Sequence, residues 1–180
     1  MHLIAVGGSD AGISAALRAR ELDPSVEVTV VVADGYPDFS YMTGTSIPNL
    51  LFICAKNGGR SQMAAAWARS YGGDAVIVTS AGAAPGASLN AEVVSVLSEH
   101  GLDLAAEYPK AVTPEMVRQA DVVVALKPGL EIPLVEGARY EVWDLPDPDG
   151  EGLDGVRETC EQIRVRIRDL LDGLGIETPQ

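Results

Sequence analysis

Short runs of β-branched and aliphatic residues recur along this chain, each followed by a segment with helical spacing, and that alternation limits the fold more than any other feature. From residue 50 onward, apolar strands are read at 50–54, 75–79, 121–126 and 139–143, and helices at 61–71, 90–100, a short 114–119 and about 153–174. Strands that alternate with helices form a parallel sheet covered on both faces, because right-handed crossovers carry the helices over it. The expected architecture is a three-layer α/β fold with a central four-stranded parallel sheet. Sites in such sheets lie beyond the carboxyl ends of the strands. Cys54 ends one strand, Ser80 follows another, and Asp144 to Asp147 follow the last, so all three can converge on one rim.

Ahead of this block, residues 2–7 and 26–32 read as strands flanking an amphipathic helix at 10–22, one Rossmann-like βαβ unit. Residues 33–49 carry Gly35, Pro37, Gly44 and Pro48 among Asp, Ser and Thr, the composition of a linker. The expected division is a βαβ fragment with its linker over 1–47 and a second domain over 48–180. A lone βαβ unit has too little core to stand by itself, so it is expected to pack against the second domain or to stay partly mobile.

Charge excludes several partner classes. Against 26 Asp and Glu there are 13 Lys and Arg, a net charge of −13. A field of that sign repels polyanions, so neither nucleic acid nor an anionic membrane is expected to bind. Any anion must be captured by a small, focused site. No apolar stretch approaches the roughly 20 residues that span a bilayer, and no basic segment precedes the first hydrophobic run, which points to the cytoplasm. The two cysteines, Cys54 and Cys160, have neither the spacing of a zinc site nor that of a disulfide framework, and no metal is expected.

The informative segment is Cys54-Ala55-Lys56-Asn57-Gly58-Gly59-Arg60-Ser61, where a strand-end cysteine precedes five residues, an arginine and a serine that opens a helix. Inward-facing N–H groups of such a loop, with the positive end of the helix, form a P-loop-like cradle for a tetrahedral oxyanion. Arg60 supplies a planar fork that can hold two of its oxygens. The same groups stabilise a thiolate, the form in which Cys54 would act as a nucleophile. The bland alternatives are a buried strand-end cysteine, an Asn-Gly-Gly turn, Ser61 as helix N-cap, a role compatible with a hydrogen bond to the thiolate, and Lys56 as a solvated loop charge.

A nucleophile that displaces oxygen needs a general acid to protonate the departing atom. In Trp143-Asp144-Leu145-Pro146-Asp147-Pro148-Asp149, Asp147 is the preferred candidate because Pro148 stiffens its loop. Asp144 and Asp149 compete with it, and the bland reading is a solvated acidic loop. Cys160, Ile163, Ile167, Leu170 and Leu174 share one helical face, so Cys160 is assigned to the core. His2, opening a strand, and His100, ending a helix before Gly101, are assigned to structure.

Taken together, residues 48–174 resemble the low-molecular-weight protein tyrosine phosphatase fold and, within it, the arsenate reductases. The run Asn57-Gly58-Gly59-Arg60-Ser61-Gln62-Met63-Ala64 resembles the reductase form of the loop, and Ser80-Ala81-Gly82, Glu107-Tyr108-Pro109-Lys110 and Asp147-Pro148 follow in the order that family implies. The resemblance implies Cys54 as nucleophile, Arg60 as oxyanion ligand and Asp147 as general acid, with the remaining loop residues binding substrate. Thioredoxin-coupled members use two further cysteines after the third strand, whereas residues 127–136 here contain none. The loop is similar to that of mycothiol-dependent arsenate reductases, although arginine stands where those relatives often carry lysine. This implies arsenate or phosphate as the bound oxyanion, mycothiol as co-substrate and a mycoredoxin-type redoxin as partner, in arsenic detoxification. A phosphatase is the alternative.

Residues 1–45 resemble the opening of FAD-dependent pyridine nucleotide-disulfide oxidoreductases through Gly7-Gly8-Ser9-Asp10-Ala11-Gly12 and Phe39-Ser40-Tyr41. Gly7, Gly8 and Gly12 would let a pyrophosphate approach, and Asp34 stands where a ribose hydroxyl is read. Ser9 replaces the second glycine and the rest of a flavin site is absent, so neither FAD nor NAD(P) is expected to be held there. A nucleotide-binding or interaction module with an inactive second domain is the remaining alternative.

Overall fold

The computed structural model describes residues 2–6, 27–31, 47–135 and 138–178. The chain divides into two units, Met1–Thr45 and Ser46–Gln180. In the first, β1 (His2–Val6) and β2 (Glu27–Val31) pair in parallel, with His2 opposite Glu27 and Val6 opposite Val31. The helix expected at 10–22 and the linker through residue 46 lie outside the described residues, as do Gly7, Gly8, Gly12 and Asp34.

The second unit runs β3 (Asn49–Cys54), α1 (Arg60–Gly72), β4 (Ile77–Gly82), α2 (Ala91–Glu99), α3 (Pro114–Gln119), β5 (Val122–Ala125), β6 (Arg139–Val142) and α4 (Gly152–Gly173). Its four strands are all parallel in the order β4-β3-β5-β6. β3 and β5 lie inside the sheet and are buried on both faces, which is why Leu50 to Cys54 and Val122 to Ala125 read as unbroken apolar runs rather than alternating ones. Leu50, Phe52 and Cys54 join the core built with α1, α2 and α4, whereas Leu51 and Ile53 join the smaller core under α3. Helices on both faces complete the three layers. Burying a side chain such as Phe52 fully contributes about 1.5–3 kcal/mol.

One strand departs from the sequence expectation. The run expected at 75–79 begins instead at Ile77 and continues to Gly82, so Ser80 lies inside the strand rather than after it. Ser, Ala and Gly have weak strand propensity. Here the ladder to β3 decides, with Phe52 opposite Ser80 and Cys54 opposite Gly82. Gly82 is required by proximity: a Cβ there would stand 2.9 Å from both the Ala55 carbonyl oxygen and the Asn57 nitrogen.

The helix ends are marked locally. Asn90 caps α2 by accepting from the N–H groups of Glu92 and Val93, and Thr113 caps α3 ahead of Pro114. On α4, Cys160, Ile163, Ile167 and Leu170 are buried on one face, with Leu174 packed at its edge. The indole N–H of Trp67 donates to Cys160 Sγ at 3.3 Å, and burial pushes that thiol above its ordinary range. His100 closes α2 and packs edge-on against Trp67, with ring centroids 5.1 Å apart. Among the described residues no helix is long and apolar enough to cross a membrane.

Candidate active site

β3 delivers Cys54 to the carboxyl edge of the sheet, and the chain turns through residues 55–59 into α1. The turn needs a left-handed residue, supplied by Asn57 at φ 51°, a conformation asparagine tolerates better than most side chains. The Asn57 N–H donates to Cys54 Sγ at 3.2 Å, and Ser61 Oγ lies 3.0 Å from the same sulfur. Ser61 Oγ also accepts from Asn57 Nδ2 at 2.9 Å. Its own hydrogen is therefore free to point at the sulfur, and a thiolate there could only accept it.

Asn57 is wholly buried and acts as the strut of the loop. Its Oδ1 accepts from the Lys110 N–H at 2.9 Å, and its carbonyl accepts from Gln62 Nε2 at 3.0 Å. Ser61 is not the helix cap. α1 starts one residue earlier, with Gly59 at the cap position and no side-chain cap bond, because the serine hydroxyl is committed to Cys54 and Asn57 instead. No acidic residue sits in the first turn of α1, which leaves the positive end of its dipole uncompensated beside the sulfur.

Arg60 is 4% exposed, a burial that a guanidinium tolerates only when its donors are engaged. Nη1 donates to the carbonyls of Leu145 at 3.0 Å and Pro146 at 3.4 Å, and Nη2 donates to Asp147 Oδ2 at 2.9 Å. The other oxygen of Asp147 accepts from the Asp149 N–H at 3.3 Å. Lys56 Nζ meets Asp149 Oδ2 at 2.8 Å, and this contact holds the Asp149 carboxyl below its ordinary range and the Lys56 ammonium above its own.

These groups border a cavity of about 280 Å³. Cys54, Ala55, Lys56, Gly58, Gly59 and Arg60 form its floor and near wall, and Asp147, Pro148 and Asp149 its far wall. Asn57 and Ser61 stand behind the sulfur and do not line it. Of the three aspartates in the loop, Asp144 is the one absent from the lining. Ser80 also lies away from the cavity, buried, with a hydroxyl that has no hydrogen-bond partner.

The third wall was not legible as part of a site: Gly86, Ser88, Leu89 and Asn90. It is bound to the loop through main-chain bonds, Gly86 N–H to the Lys56 carbonyl at 2.8 Å and Asn90 N–H to the Gly58 carbonyl at 2.9 Å. A Cβ on Gly58 would come 3.1 Å from the Ser88 carbonyl oxygen, so the glycine lets the two segments meet. The available signal was Asn90 as a helix cap, which places the preceding loop beside the oxyanion loop. Among the described residues no aromatic side chain lines the cavity.

The family profile described as Low molecular weight phosphotyrosine protein phosphatase matches residues 49–179. An arsenate reductase from Halalkalibacterium halodurans is 38% identical over 124 residues, 67% of this chain and 86% of the relative. Among solved structures, a thioredoxin-dependent arsenate reductase of Corynebacterium glutamicum aligns with a TM-score of 0.65 at 34% identity, covering 76% of this chain and 66% of that one. A low molecular weight protein tyrosine phosphatase from T. tengcongensis aligns with a TM-score of 0.64 at 25% identity, covering 70% and 99% respectively.

Proposed function

The chain belongs to the low molecular weight phosphotyrosine protein phosphatase family, and on that premise we propose that it is an arsenate reductase in which Cys54 attacks arsenate and passes the arsenic to mycothiol. The observation that carries the proposal is the setting of Cys54 Sγ. It sits between the Asn57 N–H and the Ser61 hydroxyl, at the foot of a small cavity that Arg60 borders and that no aromatic group among the described residues lines. A lining that holds Lys56 and Arg60 and, among the described residues, no aromatic side chain suits a tetrahedral inorganic anion better than a phosphorylated aromatic side chain.

In the first step Cys54 Sγ forms a bond to arsenic while one As–O bond breaks. The departing oxygen takes a proton from Asp147 and leaves as water, and Arg60 holds the remaining oxygens. In the second step the thiol of mycothiol attacks arsenic, returns its proton to Asp147 and releases Cys54 as the thiolate. The conjugate is then reduced to the arsenic(III) level by a mycoredoxin-type redoxin, whose thiol is oxidised in exchange.

The need for an outside thiol is supported by the cysteine count. The chain has two cysteines, and the second, Cys160, is buried on α4 against Trp67. No cysteine occurs between residues 127 and 136. The Corynebacterium relative is described as thioredoxin-dependent, so the thiol is the point to test. Arsenate turnover measured with mycothiol plus mycoredoxin, with glutathione plus glutaredoxin, and with thioredoxin should be highest with the first system and absent in Cys54→Ser. Equal turnover with thioredoxin alone would overturn the thiol assignment. Rapid hydrolysis of an aryl phosphate with negligible arsenate reduction would make the protein a phosphatase.

A further inference from the structure

Among the described residues, the basic and acidic side chains that line the cavity are crosslinked in two pairs, Arg60 with Asp147 and Lys56 with Asp149. Each cation is already held by a carboxyl group. An oxyanion that arrives from solvent therefore meets, among the described residues of the lining, no side-chain cation without a partner, in a molecule of net charge −13. Beyond the main-chain N–H groups and the positive end of α1, attraction by a side chain has to come from a cation that can exchange its partner.

The two pairs differ in how readily they can do so. Arg60 is 5% exposed at its side chain and anchored on the Leu145 and Pro146 carbonyls, so its guanidinium is fixed. Lys56 and Asp149 are 69% and 58% exposed. A pair in that much water adds little stability and opens easily. Lys56 also carries its charge on a long flexible stem, which suits it to follow a ligand.

We propose that Lys56 is a second cationic contact for the oxyanion, and that Asp149 sets the affinity of the site by competing with the anion for Lys56. This deepens the oxyanion reading of the cavity and rests on it. Asp149 is placed to do more than neutralise a charge, because its N–H also donates to the carboxylate of Asp147. One residue thus restrains both the mobile cation and the proton donor.

The charge balance gives the two members of the pair opposite effects. Removing Lys56 makes the lining one charge more negative, and neutralising Asp149 makes it one charge more positive. A merely structural clasp would behave otherwise, since either substitution breaks the same bond and would move binding in the same direction. Calorimetry of inorganic phosphate binding to the full chain at low ionic strength separates the two. Lys56→Met should weaken phosphate by about three- to tenfold, and Asp149→Asn should tighten it by about as much. The double variant should return near the parent, and all differences should shrink as salt is added. Shifts of the same sign in both single variants, or no shift in either while the parent binds phosphate, would overturn the proposal. A parent protein that neither binds phosphate nor is protected by it from alkylation at Cys54 would overturn the oxyanion reading itself, and this inference with it.

Discussion

Arg60 Nη2 donates to Asp147 Oδ2 at 2.9 Å, joining a buried guanidinium to a largely exposed carboxylate 87 positions along the chain. The group proposed to hold the oxyanion and the group proposed to protonate its leaving oxygen therefore stand in direct contact before substrate arrives. When an anion takes up the Arg60 donors, Asp147 is already beside it.

Asp147→Asn keeps the shape of that contact and removes the proton. Arsenate turnover should fall by about 10²- to 10⁴-fold, the usual contribution of general acid catalysis. Phosphate affinity should be retained, because the amide keeps its place beside Arg60 and brings no negative charge to the lining. Steady-state kinetics beside phosphate titration checks both, and loss of phosphate binding together with turnover would assign Asp147 to binding instead.

The two thiols should differ in reactivity. Cys54 lines the cavity, whereas Cys160 accepts from Trp67 in the core and is pushed upward by burial, which disfavours its reactive thiolate. Native protein should take up one equivalent of iodoacetamide, mapped by mass spectrometry to Cys54 and slowed by phosphate. Unfolded protein should take up two.

Asn57 should behave as a structural residue that controls activity. Asn57→Ala removes the acceptor for the Lys110 N–H and the donor to Ser61, and forces alanine into a left-handed conformation. The expected loss is about 2–4 kcal/mol in urea unfolding, the range for breaking a buried hydrogen-bond network. Asn57→Gly should recover the conformational part of that loss but not the hydrogen-bonded part.

Glu107 should make part of the stability depend on pH. Burial alone would raise its carboxyl, but Lys110 and Arg69, at 2.9 and 2.7 Å, outweigh burial and hold it below its ordinary value of 4.5. A carboxyl lowered by folding contributes stability above its unfolded value and loses it as the pH falls through the folded one. Glu107→Gln should therefore cost about 1 kcal/mol at pH 7, with the difference from the parent narrowing progressively in acid. A difference that stayed constant from pH 7 into acid would show that the ion pairs are not its source.

Much of the site could be read from residue order, because its chemistry is local. Cys54, the glycines and Arg60 lie within seven positions, and their spacing between a strand and a helix carries the geometry with it. What could not be read depends on pairing between distant segments. Ser80 was expected in a loop, since nothing in Ser-Ala-Gly announces a strand until β3 is laid beside it. Ser61 reads both as a helix cap and as a hydrogen-bond partner of the thiolate; the structure has the second, and only its other partner, Asn57, depends on a left-handed turn that residue order does not announce. The wall from Gly86 to Asn90 reaches the site through main-chain bonds, which leave no trace in residue type. Asp147 and Asp149 were ranked as rivals for one role, but the fold places both on the cavity, one against Arg60 and the other against Lys56.

The position of β3 bears on how this protein would lose its activity. The strand has a neighbour on each side, and the Cys54 carbonyl is itself bonded to the Ala83 N–H at 3.0 Å. Fraying at the rims of the sheet does not reach it. Inactivation by heat should therefore coincide with cooperative melting of the whole domain rather than precede it, so the working lifetime of the catalyst is that of the fold.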